Sequence, residues 1–325
     1  MEQVTRHWQR LGLVNLLLSP LSALFAVIIW LRRRAYQYGL LRTWRSPVPV
    51  IIVGNITAGG SGKTPLVLWL ARHLQTQGYR PGIVSRGYRA RHNNWPQLIC
   101  ADDDPHQFGD EPVLLARQSG CPVCVGPDRP AAVRALLAAQ PCDIILADDG
   151  LQHYALDRDI EIVVVGTQGL GNRWLLPAGP LREPASRLRQ ADLIIHNNPI
   201  KAGHQLHWGE PTITPLHNPD APPQPLNRFR GQSIHAVAGI AYPEHFFALL
   251  RTHGLILQTH PFPDHHPYTP DDCRFSSSLP ILMTHKDAVK CKHYALPDAW
   301  VVNREPQPDA AFITALHHLL ETHAG

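Results

Sequence analysis

The hydrophobic rhythm of this chain changes at two places. Residues 12–31 carry no charge and are mostly Leu, Ile, Val, Ala and Phe, and Arg32, Arg33 and Arg34 follow at once. Such a run predicts an apolar helix long enough to cross a bilayer, for which about 20 residues suffice. Asn15, Ser19, Pro20 and Ser22 interrupt it. Three outcomes are open. The helix spans the membrane with the arginines on the cytoplasmic side. It is an interfacial anchor, with Arg6 and Arg10 at one end and the Arg triplet at the other. Or it is buried against a globular body. A cleaved signal peptide is disfavoured, because no small-residue cleavage site precedes the arginines.

After Ser46 the pattern alternates between β and α. Residues 48–54, 82–85, 122–126, 142–147, 160–166 and 191–196 read as strands, several of them apolar throughout. Residues 64–77 have helical spacing through Leu66, Leu70 and Leu74 and stop at Gly78. Residues 110–118 and 128–140 are further helices, the second with Asp128 placed to cap it and Pro130 in its first turn. Solidly apolar strands separated by helices predict an α/β fold with a mostly parallel sheet covered on both faces. Pro219, Pro222, Pro223 and Pro225 then mark a linker. Beyond it the rhythm resumes, with strands at 233–240, 255–258, 280–284 and 300–303 and helices at 242–253 and 309–323. The expected division is a membrane-associated helical segment over 1–45, a larger α/β domain over 46–217, a Pro-rich linker over 218–232 and a second, smaller α/β domain over 233–325.

Composition changes this picture little. A length of 325 residues fits one large or two medium α/β domains. The net charge of +4, with no basic stripe interleaved with aromatics, argues against nucleic acid as a partner. Six cysteines spread over the chain do not form a disulfide framework. Cys121, just before an expected strand, and Cys124, within it, read as reduced core residues.

The candidate chemistry begins at Gly54-Asn55-Ile56-Thr57-Ala58-Gly59-Gly60-Ser61-Gly62-Lys63-Thr64, between an expected strand and an expected helix. That context is what a P-loop requires, and it makes the larger domain P-loop NTPase-like. Gly59, Gly60 and Gly62 let backbone N–H groups curl around phosphates, and the helix N-terminus adds positive partial charge. Lys63 reaches the terminal phosphates and Thr64 offers a hydroxyl to Mg²⁺. Residues Asn55 to Thr64 together form the expected ATP cradle. Thr57 stands where the first glycine of the motif normally does. Ala58 stands where many ATPase switches carry a second lysine.

Carboxylates come in two pairs. Asp148 and Asp149 follow the buried run Ile144-Ile145-Leu146-Ala147 and precede Gly150, so they point to different faces near the expected Mg²⁺. Asp110 and Glu111 start a helix, with Pro112 in its first turn. Acidic helix starts are common, yet the loops at strand ends are where ligands bind in such folds. Asp264-His265-His266 lies in a Pro-bounded loop. A carboxylate polarised by a histidine could accept the proton of an attacking hydroxyl. Arg86, Arg129 and Arg182, each in or beside a loop next to Gly or Pro, are candidates for gripping phosphate.

These residues resemble the tetraacyldisaccharide 4′-kinase family, the lipid A 4′-kinases, over nearly the whole chain. The resemblance rests on the apolar N-terminal run, the loop through Lys63-Thr64-Pro65, Ser85-Arg86-Gly87-Tyr88, Gly109-Asp110-Glu111-Pro112 and Gly126-Pro127-Asp128-Arg129. It continues through Asp148-Asp149-Gly150-Leu151-Gln152-His153, Leu176-Pro177-Ala178-Gly179-Pro180-Leu181-Arg182-Glu183-Pro184, Asp264-His265-His266 and Thr284-His285-Lys286-Asp287-Ala288-Val289-Lys290. His285 departs slightly from the usual pattern. The resemblance implies ATP- and Mg²⁺-dependent phosphorylation of the 4′-hydroxyl of an acylated glucosamine disaccharide 1-phosphate, giving lipid IVA. It places the work at the cytoplasmic face of the bacterial inner membrane, on a lipid substrate and among membrane lipids, with no obligate protein partner. It implies that Asp110 and His265 act as the base pair, helped by Lys63, Asp149 and Arg182. Glu111, Asp148 and Asp149 with Thr64 would manage Mg²⁺, and Arg86, Arg129 and Arg182 would hold phosphates. Asp110 and His265 come from different domains, so the site needs the two brought together. A four-chain lipid leaves a bilayer only at a cost of about 0.8 kcal/mol per CH₂, which gives the apolar helix a use.

Two other readings stand beside this one. The first is a membrane-associated P-loop ATPase switch that regulates a partner, against which Ala58 argues. The second is a kinase for a soluble metabolite, with the N-terminal helix merely structural.

Overall fold

The structure is a computed structural model that describes residues 7–88, 90–92, 94–199 and 203–323. The apolar N-terminal run forms α1 (Leu13–Gln37), roughly 37 Å long at helical rise. It is not packed into a core. Leu13 and Leu17 are 80% and 79% exposed, and the residues of α1 that are buried are Asn15 and Ser22. The burial of an apolar helix against the globular body, one of the three expected outcomes, is thus not what forms.

From there the chain builds β1 (Val50–Gly54), α2 (Lys63–Thr76), β2 (Pro81–Ser85), β3 (Gln97–Ile99), the short α3 (Pro105–Phe108), α4 (Asp110–Ser119), β4 (Val123–Val125), α5 (Arg129–Ala139), β5 (Ile144–Asp148), β6 (Ile160–Val165), β7 (Leu193–His196) and β8 (His204–Trp208). It continues through β9 (Thr212–Pro215), β10 (Gln224–Pro225), β11 (Ser233–Ala238), α6 (Pro243–Thr252), β12 (Ile256–Pro261), β13 (Ile281–Met283), α7 (His285–Cys291), β14 (Ala299–Asn303), β15 (Pro306–Pro308) and α8 (Ala310–His323).

Two sheets result. The larger has the order β15-β8-β7-β6-β1-β5-β2-β4-β3 and is parallel except at its rims, where β15 and β3 run antiparallel to their neighbours. Alternation along β1 sends Ile51 and Val53 to one face, against Leu66, Leu70 and Leu74 of α2 and Phe312 and Leu316 of α8. Val50 and Ile52 go to the other, against Val133 and Leu136 of α5. A parallel sheet of this kind needs cover on both faces, which is why its strands read as unbroken apolar runs. Cys121 and Cys124 belong to this core, and burial pushes both thiols up to about 11. The smaller sheet has the order β10-β9-β14-β13-β11-β12.

The division between the sheets does not follow the expected boundaries. β9, within the stretch assigned to the larger domain, pairs with β14 of the smaller sheet. β15, from the C-terminal stretch, returns to pair with β8, and α8 packs on the larger sheet. The chain therefore crosses between lobes once after β8 and again before β15. The Pro-rich stretch lies inside the smaller lobe, where Gln224 and Pro225 form its edge strand β10 on β9.

Candidate active site

The phosphate loop lies between β1 and α2, as its sequence requires. Gly62 has φ of +93°, a left-handed setting that favours glycine, and a Cβ there would also crowd Asn197 Nδ2 at 2.8 Å. This left-handed turn points Lys63 into the site. Its Nζ bonds Asn55 Oδ1 at 3.2 Å and pairs with Asp149 Oδ1 at 3.5 Å. Asn55, fully buried, donates to Thr57 Oγ1 at 3.3 Å. The start of the loop is stitched to a neighbouring segment: Ala58 N–H donates to Pro180 O and Arg182 N–H to Ile56 O, both at 2.7 Å.

Asp148 and Asp149 diverge. Asp148 ends β5 and is 1% exposed, and its Oδ1 is buried without a hydrogen-bond partner among the described residues. Burial, reinforced by the charges of Glu111 and Asp149, pushes its carboxyl up to about 7. Asp149 has φ of +48° and turns away toward Lys63 and Arg182, the latter at 3.1 Å. Burial would raise it, but those two cations outweigh burial and hold it at about 2.

An orphaned buried carboxylate oxygen beside further carboxylates fits a divalent cation. No group of three or more His, Cys, Asp or Glu among the described residues could hold a metal ion unaided. Mg²⁺ typically takes one or two protein carboxylates and completes its shell with water and substrate phosphates, and the unpartnered Asp148 oxygen fits that need.

Asp110 and His265 meet across the two lobes. His265 Nδ1 lies 2.8 and 2.9 Å from the two carboxylate oxygens of Asp110, which is 6% exposed. Burial would raise the Asp110 carboxyl; the His265 hydrogen bond, with Lys286 and Lys290 nearby, holds it well below the usual range. His265 Nε2 faces away from Asp110 and lies 3.7 Å from Asp264 Oδ2, beyond hydrogen-bonding distance. The backbone of His265 sits at φ of +60°, a strained setting that persists where surrounding contacts impose it. Here those contacts run through Asp287. Its Oδ1 accepts from Gly239 N–H at 3.1 Å and Tyr268 OH at 2.9 Å, and Gly239 O accepts from His265 N–H at 3.2 Å.

Lys286, from α7, pairs with Glu111, and Lys290 Nζ is buried 3.7 Å from Asp110 Oδ2. Burial would lower Lys286, yet Glu111 and Asp110 hold it above its ordinary value. Gln152 Nε2 bonds Asn55 O at 3.1 Å and Glu183 Oε1 at 2.9 Å, bracing the loop from behind. Lys286, Lys290, Gln152 and Glu183 all lie in segments that the sequence singled out, but composition alone gave them no role. Asn197, which donates to Ser61 O at 3.3 Å, carried no sequence signal.

The three candidate arginines separate. Arg182 reaches Asp149 at the centre of the site. Arg86 is exposed on the loop after β2. Arg129 is a correction. It is 1% exposed, and its guanidinium donates to Gly126 O at 2.9 Å and Asp148 O at 3.0 Å. It braces the end of β5 from within the core instead of presenting itself to a phosphate.

Comparison with known proteins finds one family over nearly the whole chain. The family model for Tetraacyldisaccharide-1-P 4′-kinase matches residues 14–321. A tetraacyldisaccharide 4′-kinase of Nitrosococcus oceani is 48% identical over 98% of this chain and 94% of its own length. One from Pseudomonas aeruginosa is 42% identical over 98% of both chains. The crystal structure of "apo" form LpxK from Aquifex aeolicus in complex with ATP superposes with a TM-score of 0.81 at 26% identity, covering 94% of this chain and 99% of that one.

Proposed function

The chain belongs to the tetraacyldisaccharide-1-P 4′-kinase family, and from that premise we propose how its own residues carry out ATP-dependent phosphorylation of the 4′-hydroxyl of an acylated glucosamine disaccharide 1-phosphate. The observation that carries the proposal is the Asp110–His265 contact between the lobes. Asp110 accepts Nδ1–H and thereby fixes the tautomer, leaving Nε2 to take the proton of the attacking 4′-hydroxyl. As the new O–P bond forms, the bond from the γ-phosphorus to the departing ADP oxygen breaks. Lys63 and Arg182 neutralise the charge spread over the transferring group. The switch reading is not favoured, since a switch has no use for a proton acceptor assembled across the two lobes.

Thr64, Asp148 and Glu111 would hold Mg²⁺ beside the phosphates, where the ion neutralises negative charge. Asp149 is engaged by Lys63 and Arg182, so Asp148 is the better placed as direct ligand. A pH dependence follows. Asp148 must lose its proton to bind the cation, so Mg²⁺ affinity rises with pH up to about 7 and then levels. Below that point it should fall about tenfold per pH unit. Asp148→Asn should bind Mg²⁺ weakly with no such slope; a slope kept in that variant would assign it to another group. Titrating Mg²⁺ into the ATP complex across this range measures it.

The chain is membrane-associated through α1. An interfacial placement is supported by contacts toward both ends of the helix: Asn15 and Ser22 toward one, Arg33 with Gln190 and Tyr36 against Tyr154 toward the other. A helix lying lengthwise on a polar lobe supports an interfacial anchor over a spanning one, at the cytoplasmic face where ATP is available. Labelled ATP with the acylated disaccharide 1-phosphate in mixed micelles tests the reading. Label should pass to the lipid; release only as inorganic phosphate would overturn it.

A further inference from the structure

Helix α1 is inside out relative to an ordinary surface helix, which buries an apolar stripe. Its buried residues are the polar Asn15 and Ser22, at 2% and 7% exposure, two turns apart on one face. Both grip backbone. Asn15 Nδ2 donates to Ala178 O at 2.6 Å; Ser22 Oγ donates to Leu175 O at 2.9 Å and accepts from Ala178 N–H at 3.0 Å. Just before the helix, Trp8 Nε1 donates to Pro177 O at 3.2 Å.

The gripped segment is closed on itself. Leu176 N–H donates to Leu181 O, Leu181 N–H to Trp174 O and Gly179 N–H to Leu175 O, at 2.9 to 3.0 Å. A Cβ on Gly179 would lie 2.3 Å from Trp174 O, so the turn leaves no slack. The residues that follow are Pro180, Leu181 and Arg182, which pair with the start of the phosphate loop, and the Arg182 side chain holds Asp149 against Lys63. One path of hydrogen bonds, closed by the ion pair between Asp149 and Lys63, thus runs from the membrane helix to the phosphate-loop lysine.

We propose that Asn15 and Ser22 are positioning residues for phosphoryl transfer. They touch neither ATP nor lipid. They fix the height and tilt of the membrane helix relative to the phosphate loop, so that a hydroxyl presented at the lipid surface arrives in line with the γ-phosphate. This rests on the lipid-kinase reading above. A misplacement of about 1 Å between reacting groups can cost on the order of 10²-fold in rate.

The test is Asn15→Leu combined with Ser22→Ala in the full chain, assayed on vesicles carrying the acylated disaccharide. Both changes keep the helix apolar while deleting its grip on residues 175–178. Vesicle binding should be unchanged or tighter, ATP Kd should stay within about twofold, and kcat should fall about 10- to 100-fold with little change in KM. Ser22→Thr, which keeps the hydroxyl, should retain activity. Unchanged kcat would overturn the proposal. So would an ATP Kd that weakens in step with kcat, since the two residues would then merely support the phosphate loop. If the double variant does not fold, Asn15→Ala and Ser22→Ala singly carry the same readouts. Wild-type enzyme that fails to label the lipid would sink the kinase reading itself.

Discussion

Replacing His265 with alanine should lower kcat by roughly 10²–10⁴-fold, the usual worth of a positioned general base, with ATP affinity retained. The ring does not touch the phosphate loop. It reaches the site from the smaller lobe, held by Asp110 at Nδ1 and by Gly239 at its backbone. Asp110→Asn tests the same unit differently. The amide keeps the size of the side chain but offers Nδ1 a neutral partner whose tautomer-fixing acceptor oxygen can flip away, so kcat should fall while the fold stands. Rapid-quench turnover and calorimetric ATP binding separate the possibilities. Near-normal turnover in His265→Ala would remove that residue from proton acceptance. Lost ATP affinity in either variant would mean that the pair serves nucleotide binding.

Arg182→Ala should cost on the order of 10³-fold in kcat, the low end for a charge-stabilising arginine in phosphoryl transfer. Its backbone N–H will still pair with Ile56 O, so the loop stays stitched and the loss is that of the guanidinium alone. Asp149 then loses one of the cations that hold its carboxyl low, and it will compete for Lys63 more strongly. Arg182→Lys should recover little, since an ammonium cannot keep Asp149 engaged and face the transferring group through a planar fork. Full rescue by lysine would show that only the charge matters there.

Much of the larger lobe was legible because its signals are local. An apolar run, then glycines, then Lys63-Thr64 dictates a strand, a turn and a helix start with no help from distant residues. Asp128 as cap and Pro130 in the first turn of α5 were readable for the same reason. The pieces that escaped depend on partners far along the chain. β8, His-Gln-Leu-His-Trp, and β15, Pro-Gln-Pro, have no strand pattern of their own; β8 forms between β7 and β15, and β15 forms on β8. α7 is short, and Thr284 caps it through Asp287 N–H, which looks like loop chemistry from sequence alone. Arg129 misled for the opposite reason: a charged residue between Asp128 and Pro130 reads as exposed, and only the carbonyls of Gly126 and Asp148 make its burial tolerable. The site as a constellation was legible only through the resemblance. No local rule joins Asp110 to a histidine far along the chain.

The two crossings between lobes make the smaller lobe an insert. Everything from residue 210 to residue 304 is spliced between β8 and β15, and the splice ends touch: Gly209 N–H donates to Glu305 O at 2.9 Å. Such a cassette can be cut out without parting the strands on either side. A chain in which a short Gly-Ser turn replaces residues 210–304 should fold as an ATP-binding half with its nine-stranded sheet complete, and should transfer nothing, because His265 leaves with the insert. A cut at residue 232 should instead aggregate, since it strips β15 from β8 and α8 from the core. On the mechanism proposed above, the proton acceptor is portable cargo on a nucleotide-binding chassis, and a different insert on the same two ends would set a different hydroxyl before the same phosphate.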